Sequence, residues 1–185
     1  SISEKPDERE LAILLSTGEI ISCSLLTMAL RALGYKAISL SGGQAGIHTN
    51  MDYNRAKITD VDPKRILKEL REDHIVVVAG FQGITQEMDI TTLGRGGSDI
   101  TAVALAAGLD ARICEIYTDV EGIYTADPRI VPEARVLAEI GYEEMLELAS
   151  YGAKMHPRSI ELGAMFDLPI LVTSSFTDTP GTLIH

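Results

Sequence analysis

The sequence predicts an α/β fold, a three-layer αβα sandwich with a mostly parallel central sheet, and two observations carry that prediction. Helical and strand-like segments alternate along the chain. The best strand candidates, Ala37–Leu40 and 75–79, are apolar on both faces, which suits a parallel sheet covered by helices on each side. No linker divides the 185 residues, so 1–185 is expected to form one domain with a sizeable core.

Pro6 reads as a first-turn proline, with Asp7, Glu8 and Glu10 beside it at the positive end of a helix. Leu11, Leu14 and Leu15 give one helical stripe. Ile20, Ile21, Leu25, Met28, Ala29 and Leu33 give a second, closed by Gly34. Thr17-Gly18-Glu19 separates the two, which puts Glu19 at or near a helix start. Ser41-Gly42-Gly43 breaks the strand after Leu40. Asp62-Pro63 opens a helix running to about Glu72. The β-branched run at 75–79 stops at Gly80. An alanine-rich helix at 99–109 follows a glycine-rich loop and leads to a strand at 112–118. Helices at 142–150 and 157–166 and a strand at Ile170–Ser174 complete the order. In such sheets ligands gather beyond the carboxyl ends of strands: after Leu40, Ala79, Thr118 and Ser174.

Composition narrows the partners. A net charge of −11 argues against general affinity for nucleic acid or an anionic membrane surface. No uninterrupted apolar run approaches the ~18 residues of a membrane span; the most apolar stretch read this way is 100–109. The first ten residues are too polar for a secretory signal. Cys23 and Cys114 form no metal or redox pair and fit a reducing cytoplasm. His48, His74, His156 and His185 lack metal-ligand spacing, so no protein-bound metal is assigned.

Three segments carry chemistry. In Thr92-Leu93-Gly94-Arg95-Gly96-Gly97-Ser98-Asp99 the glycines let the backbone approach a ligand closely, and the helix start that follows favours an anion. Arg95 there has the fork that matches a carboxylate or phosphate, while Ser98 or Asp99 is expected to cap the helix. Thr118 and Asp119 end a strand and open a loop through Tyr124 to Arg129, a turn-former or a ligand site by its residues alone. Gly152-Ala153-Lys154-Met155-His156-Pro157 joins two helices. Lys154 could reach a phosphate, and His156 reads as a cap.

Thr17-Gly18-Glu19, the 93–99 loop, the 118–129 segment and the 152–157 segment, in that order, resemble the aspartate kinases, a branch of the amino acid kinase family. The resemblance covers essentially the whole chain. The acetylglutamate, glutamate and uridylate kinases are similar in fold but lack the 93–99 motif. The resemblance implies ATP-dependent phosphorylation of the side-chain carboxylate of L-aspartate to 4-phospho-L-aspartate, the first step toward lysine, threonine and methionine, in a cytoplasmic homo-oligomer. It implies substrate binding by Glu19, Arg95, Gly96, Gly97 and Ser98. ATP, with Mg2+ on its phosphates, falls near Thr118, Asp119, Tyr124, Arg129, Lys154 and Met155, and Asp99 orients a catalytic lysine. Glu19 and Arg95 also suit the charges of aspartate, one ammonium and two carboxylates.

Departures from the family pattern set further expectations. Residues 1–185 contain neither the KFGG-type strand and loop that supplies that lysine nor the regulatory domains usual in the family, so the kinase domain is expected to be N-terminally incomplete in this segment. Residues 1–185 alone are therefore expected to be inactive. Gly43 stands where many relatives have tryptophan. Two other readings remain open at this level: a sister kinase for another small carboxylate, and a non-catalytic binding domain of the same fold.

Overall fold

The computed structural model describes residues 3–152 and 154–185; Ser1, Ile2 and Ala153, the last inside the 152–157 segment, lie outside the described residues. The chain forms two compact units, one up to Thr101 and one from Ala102.

The first unit opens with α1 (Glu8–Ala32), one continuous helix where two were expected. Asp7 is its cap, its carboxylate accepting from the Arg9 and Glu10 amides, so Pro6 precedes the helix instead of starting it. Gly18 costs the helix about 1 kcal/mol relative to alanine, which does not break it. The hydroxyls of Ser16, Thr17, Ser24 and Thr27 donate to carbonyls three or four residues back and so are satisfied within the helix. The helix ends as expected, with Gly34 at φ +91°.

Ala12, Ser16, Cys23 and Thr27 form the buried stripe of α1, which packs on β1 (Ala37–Leu40), β4 (Ile75–Val78) and β6 (Ile90–Thr92). Leu14, Leu15, Ile21, Leu25 and Met28 are exposed. By length and mean hydropathy this helix is apolar enough to cross a membrane. That corrects the expectation drawn from uninterrupted apolar runs: serine and threonine, near neutral in hydropathy, break such a run without making the helix polar.

Strands β1 and β4 pair in parallel, Ala37 opposite Ile75 and Leu40 opposite Val78, so their carboxyl ends coincide. A second sheet, in the order β3-β2-β5-β6, comprises β2 (Ile47–Thr49), β3 (Ile58–Val61), β5 (Gln82–Ile84) and β6. It is mixed: β2 runs parallel to β5 and antiparallel to β3, and β6 antiparallel to β5. Helix α2 (Lys64–Arg71) starts one residue past Pro63, with Asp62 accepting from the Lys64 amide. A Cβ on Gly43 would lie 2.7 Å from Ile84 Cγ2, so a larger residue in the loop after β1 requires Ile84 to move. Helix α3 (Gly97–Gly108) begins at Gly97, so Ser98 and Asp99 lie within its first turn.

In the second unit β7 (Cys114–Thr118) and β9 (Ile170–Ser174) are parallel and in register from Cys114–Ile170 to Thr118–Ser174. The sheet continues with β10 (Thr182–Ile184), antiparallel to β9, and β8 (Glu139–Ile140), parallel to β10. Helices α4 (Tyr142–Ser150) and α5 (Pro157–Met165) pack on each other. Ile123, Met145, Ile160, Ile170, Val172 and Ile184 are almost wholly buried here, each worth roughly 1.5–3 kcal/mol of transfer free energy. His156 caps α5, its Nδ1 accepting from the Arg158 amide, with Pro157 at the first helical position. The expected α/β class holds, with parallel pairs in both units and mixed sheets around them.

Candidate functional site

In the first unit the glycine-rich loop lies between β6 and α3. Gly94 and Gly96 have φ of +75° and +69°, conformations that side chains disfavour. The turn closes through Gly97 N–H to Gly94 O at 3.0 Å and continues into α3 through Ile100 N–H to Gly96 O at 3.0 Å. A Cβ on Gly97 would sit 2.7 Å from Phe81 Cδ2. Phe81, just past β4, is itself held at φ +67°, a costly backbone state that persists only where neighbours impose it. They do: its N–H donates to Thr101 Oγ1 at 3.0 Å and its carbonyl accepts from Leu93 N–H at 2.9 Å.

These constraints shape a cavity of about 410 Å³ lined by Leu15, Asn54, Phe81, Thr92 and Gly94 to Ser98, at the small end of ligand pockets. Arg95, Gly96, Gly97 and Ser98, the predicted substrate residues, all line it. Arg95 is exposed and supplies the cation, and the first turn of α3 adds its positive dipole end. Glu19 does not line the cavity and is not at a helix start. It lies inside α1, one turn beyond Leu15 on the same face. Asp99 follows Ser98, half-buried.

Leu15, Asn54, Phe81 and Thr92 escaped the sequence reading as cavity residues. Phe81 follows the strand end at Ala79, where the strand-end rule already pointed, and Thr92 adjoins the glycine loop. Leu15 passed for a core position. Asn54 sits in an irregular loop between β2 and β3 with no local signature.

The second unit gathers the other predicted residues. Parallel pairing puts Thr118 opposite Ser174 at the carboxyl ends of β7 and β9, and Ser175 N–H donates to Thr118 O at 2.7 Å. Buried Thr182 anchors the loop that follows, its Oγ1 accepting from Ile123 N–H at 2.8 Å and donating to Leu137 O at 2.6 Å. Tyr124 bridges to Val136. Lys154 Nζ lies 2.6 Å from Asp119 Oδ1, which also accepts from Thr118 Oγ1 at 3.1 Å. The Lys154 ammonium, then the hydroxyl, hold the Asp119 carboxyl below the usual range. Arg129 forks onto Asp127 at 3.0 and 2.8 Å, and Tyr124 donates to Glu121 at 3.3 Å. Both cations are exposed, so these pairs contribute little to stability. Met155 is different: its side chain belongs to the apolar core.

Among the described residues Glu69, Glu72 and His74 bring potential metal-binding atoms within 4.8 Å of one another. Glu69 is already held there by Arg65 at 2.8 Å and lies 3.1 Å from His74 Nδ1. The arrangement suits an anchored end of α2.

The first unit thus holds a glycine-flanked arginine at a helix N-terminus, and the second a loop with two exposed cations past a parallel strand pair. The chain belongs to the amino acid kinase family, whose model matches residues 3–174, and it has that family's α/β fold. It is similar to the aspartokinase of Geobacillus stearothermophilus, 53% identical over 99% of this chain and 45% of that protein. Among solved structures it is similar to the aspartate kinase from Synechocystis, 50% identical over 99% of this chain and 30% of that one, with a TM-score of 0.85. It is also similar to E. coli aspartokinase III in complex with aspartate and ADP, 35% identical over 98% and 42% of the two chains, with a TM-score of 0.90. The chain spans less than half the length of each of these relatives.

Proposed function

We propose that this chain is the catalytic core of an aspartate kinase, transferring the γ-phosphoryl of ATP to the side-chain carboxylate of L-aspartate and releasing ADP. The observation that carries the reading is Arg95, set between glycines at the start of α3 and lining a cavity fit for a small ligand. An aspartate carboxylate matches its guanidinium through two parallel hydrogen bonds, and the backbone amides of Gly96 and Ser98 complete an anion cradle, while Gly97, whose own N–H closes the turn on Gly94 O, allows a close backbone approach. Glu19, one turn along α1 from the cavity wall, supplies the opposite charge for the α-ammonium. The aspartate and ADP held by E. coli aspartokinase III support both ligand assignments.

Thr118, Asp119, Tyr124, Arg129, Lys154 and Met155 serve the nucleotide. Lys154 and Arg129 bring positive charge to the phosphates, and the Met155 contribution comes through its backbone. Asp99, in the first turn of α3, orients the lysine expected at the phosphates. Phosphoryl transfer to a carboxylate asks the protein for positioning and charge neutralisation more than for covalent chemistry. Mg2+ arrives on the ATP phosphates and screens their charge. Buried Cys23 and Cys114 support a reducing cytoplasm as the setting, and a homo-oligomer is the proposed assembly.

The test is acceptor selectivity. ATP consumption by the complete enzyme, this chain joined to a KFGG-type segment upstream, is measured with L-aspartate, L-glutamate, N-acetyl-L-glutamate and UMP, each as sole acceptor. Turnover with aspartate alone is expected; preference for another acceptor would reassign the substrate.

A further inference from the structure

Asn54 lines the same cavity as Arg95, and its Oδ1 is buried with no hydrogen-bond partner among the described residues. A buried carbonyl oxygen without a donor is destabilising, and folded proteins rarely keep one without a reason. The surrounding loop is not slack. On one side of Asn54 the Tyr53 carbonyl accepts from Thr92 N–H at 2.7 Å and from Thr92 Oγ1 at 3.3 Å. On the other side Ala56 N–H donates to Thr92 O at 2.9 Å. Tyr53 Oη donates to Asp89 Oδ2 at 3.1 Å, and Arg9 holds the other oxygen of Asp89 at 2.7 Å. Asn50 Oδ1 closes the base of the loop, accepting from Lys57 N–H at 2.9 Å. Asn54 thus stands beside the cavity on a clamped backbone.

We propose that Asn54 is a specificity-determining residue of this cavity, its Oδ1 accepting a hydrogen bond from the α-ammonium of an amino dicarboxylate. The inference rests on the reading of the cavity as the aspartate site and adds the group that tells an amino acid from a plain dicarboxylate. Donor chemistry decides the partner. Ionised carboxylates only accept, so the ammonium is the one group of aspartate that donates. Arg95 takes a carboxylate and leaves the ammonium to acceptors, of which Glu19 carries the charge and Asn54 the fixed direction.

The experiment uses the full chain, with calorimetric titration of L-aspartate and of succinate, which has both carboxylates and no ammonium. Asn54→Ala is expected to weaken aspartate by about tenfold or more, the scale of a hydrogen bond to a charged group, and to leave succinate unchanged. Asn54→Asp keeps an acceptor at the same place and is expected to retain aspartate within a few-fold of the unaltered protein. Thermal melting establishes that both variants fold, and Asn54→Asp carries the test if Asn54→Ala does not. Equal loss of aspartate and succinate in Asn54→Ala would overturn the proposal, as would greater loss in Asn54→Asp than in Asn54→Ala. Unchanged aspartate affinity in Asn54→Ala would overturn the Asn54 assignment alone. Failure of the unaltered protein to bind aspartate would overturn the cavity's assignment together with it.

Discussion

Lys154 and Asp119 form an ion pair just past the carboxyl end of β7, Nζ standing 2.6 Å from Oδ1 with both side chains partly in solvent. An exposed pair of this kind adds little to folding. Its arrangement makes sense as a charge kept in place for a nucleotide. Lys154→Ala should therefore weaken ADP binding by about tenfold, the scale of a charge-assisted hydrogen bond, with no loss of aspartate affinity. Calorimetric titration of each ligand checks this; an unchanged ADP affinity would return Lys154 to the solvated surface.

Arg95→Lys separates geometry from charge. Lysine keeps the positive charge in the glycine loop and loses the guanidinium fork. The KM for aspartate should rise by about tenfold or more, given 1.5–3 kcal/mol for a charged hydrogen bond, while the KM for ATP moves little. Steady-state kinetics of the complete enzyme with each substrate varied in turn would show it.

The Arg9–Asp89–Tyr53 link gives a dependence on pH. Hydrogen bonding to Arg9 foremost, with a smaller part from Tyr53, holds the Asp89 carboxyl below its ordinary range, near 3.9 in an unfolded chain. A depressed carboxyl contributes stability above its unfolded pKa and loses it as pH falls through the folded pKa. The melting temperature should thus drop below about pH 4, and Asp89→Asn should flatten that acid limb. A limb of the same slope in the variant would locate the acid sensitivity elsewhere.

Met145 is wholly buried in the core of the second unit. Met145→Ala removes its contacts and should cost about 2–5 kcal/mol, seen as a lower urea midpoint with the slope unchanged. A cost well under 1 kcal/mol would mean that this part of the core collapses to fill the space.

Much of this molecule was legible beforehand, and the failures have physical causes. The strands Ala37–Leu40 and Ile170–Ser174 and the helix Tyr142–Ser150 read at their observed bounds, because apolar pattern and breaker residues agree there. The small sheet of β2, β3, β5 and β6 did not read at all. Its strands are three or four residues long, too short to show a period, and Gly83 within β5 resembles a loop. Gly18 suggested a break in α1 that packing of the helix on β1, β4 and β6 overrode. The 94–98 half of the cavity was visible because its chemistry is contiguous in sequence. Leu15, Asn54 and Phe81 reach that cavity only through tertiary packing, which leaves no local trace.

The most direct measurement of the central claim is chemical capture of the product. The complete enzyme, this chain joined to a KFGG-type segment upstream, is incubated with ATP, Mg2+, L-aspartate and hydroxylamine, which converts an acyl phosphate to a stable hydroxamate. Aspartyl hydroxamate should form in step with ADP, and only when aspartate is present. ADP release by the complete enzyme with no aspartyl hydroxamate, or no turnover by it with bound aspartate and ATP both demonstrated, would contradict assignment of this chain to an aspartate kinase.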